Sequence, residues 1–199
     1  MPSAEEIQQY LTGAWRMMLG RADGLKMLDL SADGFWNSFF ALVVAAPPLI
    51  VGWVGFANEL AGSAGFGGRL STVLMVATID LAIWVVPLLA LAAVASRAGI
   101  ADRFVHLVVA GNWSSALIAW IMLPPALLDL FAPSAAGVSV LLSFALFVLT
   151  LVLSWRMTNV ALDKGPAVAS AVFAGMFIVA VAVLLALQTA FGFAAPAAQ

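Results

Sequence analysis

The chain reads as an all-α integral membrane protein, with five transmembrane helices preceded by an N-terminal amphipathic helix at the membrane interface. Three observations predict this. The 199 residues are 64% hydrophobic and only 9% charged, with a mean hydropathy of +1.11, whereas an average soluble domain carries roughly 25% charged residues. Five long apolar stretches hold the excess, and almost every charge falls in the gaps between them. A soluble fold of this length cannot hide so much apolar surface from water; a bilayer solvates it directly.

Residues 1–34 form the first segment. Ser3 followed three residues later by Glu6 has the pattern of a capping box. Ile7, Tyr10, Leu11, Ala14, Trp15 and Met18 then recur at helical spacing, with Glu5, Gln8, Gln9, Thr12 and Arg16 on the opposite face. Such a stripe suits a helix lying flat in the interface, and it equally suits one packed on a helix bundle. Ser31, Asp33 and Gly34 provide a turn and N-cap that launch the first span, with Trp36 as an interfacial anchor.

A transmembrane domain over 35–193 follows. Its spans are read as 35–57, 70–96, 104–131, 138–155 and 166–193, each near or above the roughly 20 residues that cross about 30 Å of hydrocarbon. Strands are excluded, because these runs are too long and do not alternate apolar with polar. The first span starts too late for a cleavable signal peptide and has no clean small-residue cleavage site. The Gly- and Ser-rich loop over 62–68 reads as flexible punctuation, and residues 194–199 as a short frayed tail.

Orientation follows from the basic residues. Arg16, Arg21 and Lys26 precede the first span, Arg97 and Arg103 lie between the second and third, and Arg156 and Lys164 lie between the fourth and fifth. Only Arg69 falls on the other side. This positive-inside asymmetry places the N-terminus in the cytoplasm and the C-terminus across the membrane.

Polar residues at depth are where a site would lie. Asp80 sits near the middle of the second span, where an aspartate costs about 2.5–3.5 kcal/mol on insertion scales, so it must face the bundle or water. It is read either as a proton or cation site or as a hydrogen-bonding partner of Asn112, Ser114 or Ser115 in the third span. His106 lies at the cytoplasmic boundary as a solvated or capping residue, and Asp129 at the outer boundary. Pro47, Pro48, Pro87, Pro124 and Pro125 each remove a backbone donor at depth, and are expected to interrupt their helices as packing bends. Ala167, Ala171 and Gly175 make a small-residue face suited to a close helix contact, within the protein or across an oligomer.

Several chemistries are excluded. There is no cysteine and a single histidine, so thiolate sites, disulfides and a protein-built transition-metal site are not expected. No catalytic residues, cofactor or nucleotide motif can be assigned: the spans contain no HExxH, no aspartyl pair, and no base beside the intramembrane serines. A net charge of -2 without a basic cluster argues against a nucleic-acid partner.

The run Ser96-Arg-Ala-Gly-Ile-Ala-Asp-Arg-Phe104, leading into Gly111-Asn-Trp-Ser and Leu123-Pro-Pro125, resembles the middle of the bacterial Yip-type family, relatives of the Ypt/Rab-interacting membrane proteins. Trp155-Arg-Met-Thr-Asn and Lys164-Gly-Pro-Ala are similar in layout to that family's final loop and helix. The likeness covers the last half of the chain. It implies a five-span protein of the bacterial inner membrane with a cytoplasmic N-terminus and a periplasmic C-terminus. The chain lacks the Asp-Leu-Tyr-Gly-Pro signature of the eukaryotic members and has Trp113 where tyrosine is frequent, so a GTPase partnership does not carry over. Two functions are expected on this reading. The first is a non-enzymatic scaffolding, membrane-organising or accessory-subunit role, with the lipid bilayer and other membrane subunits or a homo-oligomer as partners. The second is a small transporter or channel subunit that uses Asp80.

Overall fold

The structure, a computed structural model, describes residues 1–61, 65–132, 134 and 136–193. The tail and part of the 62–68 loop therefore lie outside the described residues. Among the described residues every regular element is helical: α1 (Ala4–Met18), α2 (Ala32–Ser38), α3 (Ala41–Ala61), α4 (Phe66–Val94), α5 (Phe104–Ile121), α6 (Leu123–Phe131), α7 (Ala136–Leu162) and α8 (Pro166–Ala190), with short 3-10 turns at Ala22–Met27 and Ala101–Arg103.

Five helical stretches are long and apolar enough to cross a membrane: Ala32–Leu60, Phe66–Val94, Ala101–Phe131, Ala136–Leu162 and Pro166–Ala190. Only 11–17% of the most apolar window of each is buried inside the protein. Most of the remaining apolar side chains therefore point outward, where only hydrocarbon can satisfy them. On α7 the outward stripe is explicit, since Leu141, Phe144, Val148 and Val152 follow one another at helical spacing and all are exposed.

The spans close into a ring. α3 packs on α4, α4 on α8, α8 on α7, α7 on α5, and α5 back on α3, while α4 and α5 approach each other only marginally. The order around the ring is thus first, second, fifth, fourth, third. α6 continues the third span beyond a bend at Met122 and packs on α3 and α7.

The prolines act differently from the sequence expectation. α3 runs continuously through Pro47 and Pro48, and α4 through Pro87. A proline inside a helix orphans the carbonyl four residues earlier. Pro48 does this to Val44, and the indole Nε1–H of Trp120 donates to that carbonyl at 3.0 Å. The neighbouring helix supplies the donor that the backbone has lost, and α3 continues. Only Pro124 and Pro125 stand at a real interruption, in the first turn of α6, where a missing N–H is harmless. The first span breaks instead at Phe39–Phe40, between α2 and α3, with no proline present.

α1 begins as its capping pattern implies: Ser3 Oγ accepts from the Glu6 amide at 3.2 Å, and Glu6 Oε2 accepts from the Ser3 amide. Its apolar stripe divides. Tyr10, Ala14, Met17 and Met18 are buried, Ile7 and Leu11 half-buried, and Trp15 is exposed. The buried side lies on α5 and α7, with the Tyr10 ring 5.3 Å from Trp113. Leu107 to Ala110 are consequently four consecutive buried residues of α5. A helix facing lipid on one side cannot show that pattern, so this end of α5 is enclosed all round by α1, α2, α3 and α7.

Two glycines let the N-terminal segment fold flat. The 3-10 turn at Ala22–Met27 lies directly on α1, and a Cβ on Gly24 would strike the Gly13 carbonyl oxygen. Gly20, with φ of 81°, reverses the chain between them, its amide donating to the Met17 carbonyl while that of Arg21 donates to Arg16. Asp23 accepts from Arg16 at 2.8 Å and from Arg21 at 3.1 Å. Burial pushes its carboxyl up, but the two guanidinium groups outweigh this and hold it below the usual range. Its contribution is therefore present above the ordinary aspartate pKa and lost as pH falls through the lowered one. Arg156 then ties the segment to α7 by donating to the Leu19 carbonyl at 2.6 Å. α7 extends past the expected end of the fourth span at 155, where Arg156 makes this bond and Ala161 and Leu162 are buried; α1 and the Ala22–Met27 turn both pack on α7.

Ser31 caps α2 as expected, accepting from the Gly34 amide at 3.1 Å. At the same end of the ring, Lys164 pairs with Asp102 at 2.8 Å and Arg103 with Asp163 at 3.3 Å, joining the second and fourth inter-span loops.

The close approach at Gly24 sets a testable contrast with Gly55, which has open space around it. Gly24→Ala is expected to destabilise the detergent-solubilised protein by about 1–3 kcal/mol. Gly55→Ala should leave it unchanged or stabilise it by up to about 1 kcal/mol. Unfolding followed by circular dichroism checks both.

Candidate functional site

Inside the ring lies a cavity of about 440 Å³. All five spans contribute to its wall. It is mostly apolar, as ligand cavities generally are, with a few polar groups converging on it.

The structure brings together the polar residues singled out in the sequence. Asp80, Asn112, Ser114 and Ser115 all line this one space. They do not bond to one another as expected. The Asp80 carboxylate is met by the first span: Trp53 Nε1–H donates to its Oδ2 at 2.6 Å, and Oδ1 receives no hydrogen bond from any described residue. Asn112 is buried and has two partners, with Trp84 Nε1–H donating to its Oδ1 at 3.0 Å and its Nδ2 donating to Ser38 Oγ at 2.9 Å. The Ser38 hydroxyl in turn donates to the Phe35 carbonyl at 2.7 Å, in the last turn before the first span breaks. One chain of hydrogen bonds thus joins the first, second and third spans. It also bridges α4 and α5, the pair that otherwise scarcely meets.

Geometry explains the choice of partner. Asp80 and Trp84 are one helical turn apart on α4 and present the same face to the cavity. The carboxylate reaches towards α3, where Trp53 lies, and the indole towards α5, where Asn112 lies. Ser114 and Ser115 are left facing the cavity without bonds to Asp80. The Ser114 hydroxyl is buried with no partner among the described residues. Ser154 and Thr158 of α7 complete the polar part of the wall.

Sequence reasoning missed Ser38, Trp53, Trp84, Ser154 and Thr158. A signal existed for Trp84, because tryptophan in spans concentrates at the two interfaces and this one is central. An off-belt indole is a hydrogen-bond donor in search of an acceptor. Ser38 and Trp53 carry no comparable mark. The small-residue face of α8 also differs from one expectation: Ala167, Ala171 and Gly175 are exposed, so no close contact forms there within the protein.

Among the described residues, Asp80 is the only ionisable one on the cavity wall. No cluster of metal-binding side chains occurs among the described residues. The arrangement can therefore accept hydrogen bonds and hold one charge, and it has no nucleophile paired with a base. No family model, curated protein or solved structure matches this chain.

Asn112→Leu removes the amide that links three spans and strands both Ser38 and Trp84. It is expected to lower stability by about 1–3 kcal/mol. Ser115→Ala deletes a hydroxyl with no recorded hydrogen bond and should stay within about 0.5 kcal/mol of the wild type. Thermal unfolding in the same detergent distinguishes them.

Proposed function

We propose that this chain is a multi-pass membrane protein that binds a small solute inside its helix ring, in the manner of a small transporter, with Asp80 as the polar anchor. One observation carries this reading: a carboxylate, an amide and several hydroxyls from separate helices face a common space, and one of the carboxylate oxygens and a buried hydroxyl there have no hydrogen-bond partner among the described residues. Polar groups at membrane depth are costly. A purely structural set would be expected to satisfy itself, as Asn112 does; Asp80 is satisfied on one side only.

The distribution of basic residues supports a cytoplasmic N-terminus. Arg16, Arg21, Arg97, Arg103, Arg156 and Lys164 belong to one end of the ring, which Arg69 does not share. Together with the resemblance of its loops to the Yip-type layout, this supports the bacterial inner membrane and a periplasmic C-terminus as part of the same proposal. On the same reading α1 rests at the cytoplasmic interface, its buried side on the ring and Trp15 turned towards the headgroups. The competing scaffolding or accessory role draws support from the outward small-residue face of α8.

The chain has no cysteine, so introduced ones report cleanly. Ser115→Cys, on the cavity wall, is expected to react with a membrane-impermeant, water-soluble thiol reagent in sealed vesicles. Leu141→Cys, on the outward face of α7, is expected to stay unreactive. A Ser115→Cys protein that folds and resists the reagent from both sides would leave the cavity dry and favour the scaffolding role.

A further inference from the structure

The cavity's wall also constrains what it can hold. The kind of solute, given that the cavity is a solute site, follows from the groups on that wall. Among the described residues, one acidic side chain and no basic one face the space. An anion would meet an unbalanced carboxylate with no guanidinium, ammonium or imidazole to offset it, in surroundings that screen charge weakly. A divalent metal ion would find one carboxylate where such ions gather six or more oxygen ligands or a full set of nitrogen and sulfur donors. Neither fits.

The rest of the wall is aromatic, aliphatic and thioether. Trp53 is bound to the carboxylate itself, Trp84 stands one turn along α4, and Phe173 and Phe177 look in from α8. These two phenyl rings are stacked, with centroids 6.5 Å apart and planes at 19°. Aromatic rings carry a negative face that attracts cations, most strongly when water is excluded. Met157 and Met176 add polarizable, adaptable surface. A carboxylate set among indoles, with one oxygen uncommitted, is a counter-charge awaiting a positive partner that also has an apolar body.

The volume agrees. About 440 Å³ lies within the span of roughly 300–1,000 Å³ over which proteins enclose small organic ligands. It is far more room than a bare alkali ion requires. We infer that the cavity takes a monovalent organic cation, its charge set against Asp80 and its hydrocarbon against the aromatic and aliphatic walls.

Two ions of nearly the same shape and opposite charge, tetraphenylphosphonium and tetraphenylborate, together with neutral triphenylphosphine oxide, test this. Binding to the full chain in detergent is measured by equilibrium dialysis against empty micelles, with unlabelled competitor to establish saturation. Tetraphenylphosphonium is expected to bind saturably, and about tenfold or more tighter than either other probe. Asp80→Asn should weaken it by a similar factor, and Asp80→Glu should retain much of the binding. If Asp80→Asn does not fold, Ser115→Phe narrows the same space without touching the acid, and is expected to abolish saturable binding.

Equal or tighter binding of the borate or the phosphine oxide would overturn the inference. So would tetraphenylphosphonium binding unchanged by both Asp80→Asn and Ser115→Phe, or no saturable binding of any probe. These failures are separable from failure of the solute-site reading. An anion or neutral probe that Ser115→Phe displaces would preserve the site and refute only its preference for cations, and thiol labelling at Ser115→Cys reports on the cavity whatever it binds.

Discussion

A hydrocarbon medium offers no hydrogen bonds, and that shortage of donors organises this molecule. A carboxylate, an amide and a proline-orphaned carbonyl lie at depth, and each must find its donor inside the protein. The indole of tryptophan supplies it repeatedly. Trp53 serves Asp80, Trp84 serves Asn112, Trp120 serves the Val44 carbonyl and Trp155 serves Ser170. Four of the seven tryptophans thus make bonds between different spans, each bringing a single N–H on a large apolar body that is itself at home among lipid or packed helices. The remaining three have other surroundings: Trp113 is buried against Tyr10, while Trp15 and Trp36 are exposed.

These bonds account for the ring. Between helices in a bilayer there is little hydrophobic drive to associate, because lipid tails are as apolar as leucine. Directional polar contacts then carry much of the specificity. The first span is held to the second through Trp53 and Asp80, and to the third through Asn112 and Ser38 and again through Trp120. The fourth is held to the fifth through Trp155. α4 and α5 stand apart with the cavity between them and touch through Trp84 and Asn112. The N-terminal segment packs on α5 and α7, held by the Gly13–Gly24 approach and by Arg156 on the Leu19 carbonyl.

Much of this plan was legible in the sequence. The five spans stand out because hydropathy over some 20 residues is a strong signal, and the helix boundaries differ from the expected ones by a few residues at most ends. α7 passes 155, and the N-terminal segment packs on it, a tertiary contact that no local pattern carries. Asp80 and Asn112 were visible as polar exceptions in apolar runs, and both line the cavity. Their partners were not visible, since Trp53 and Ser38 look ordinary where they stand and the order of helices around a ring leaves no mark on any one span. The prolines misled for a related reason. Removing a backbone donor need not break a helix, and at Val44 the replacement donor sits on another helix, 76 residues away.

The pairing of Trp53 with Asp80 carries the account most directly, since it fixes the acid at the cavity wall. A double-mutant cycle with Trp53→Phe and Asp80→Leu, which leaves the indole no acceptor, followed by unfolding in bilayer-like micelles, measures it. Once the indole N–H is gone, exchanging the carboxylate should cost markedly less than in the wild type, with a coupling of about 1 kcal/mol. Strict additivity of the two changes would contradict it, showing that the bond does not hold Asp80 in place.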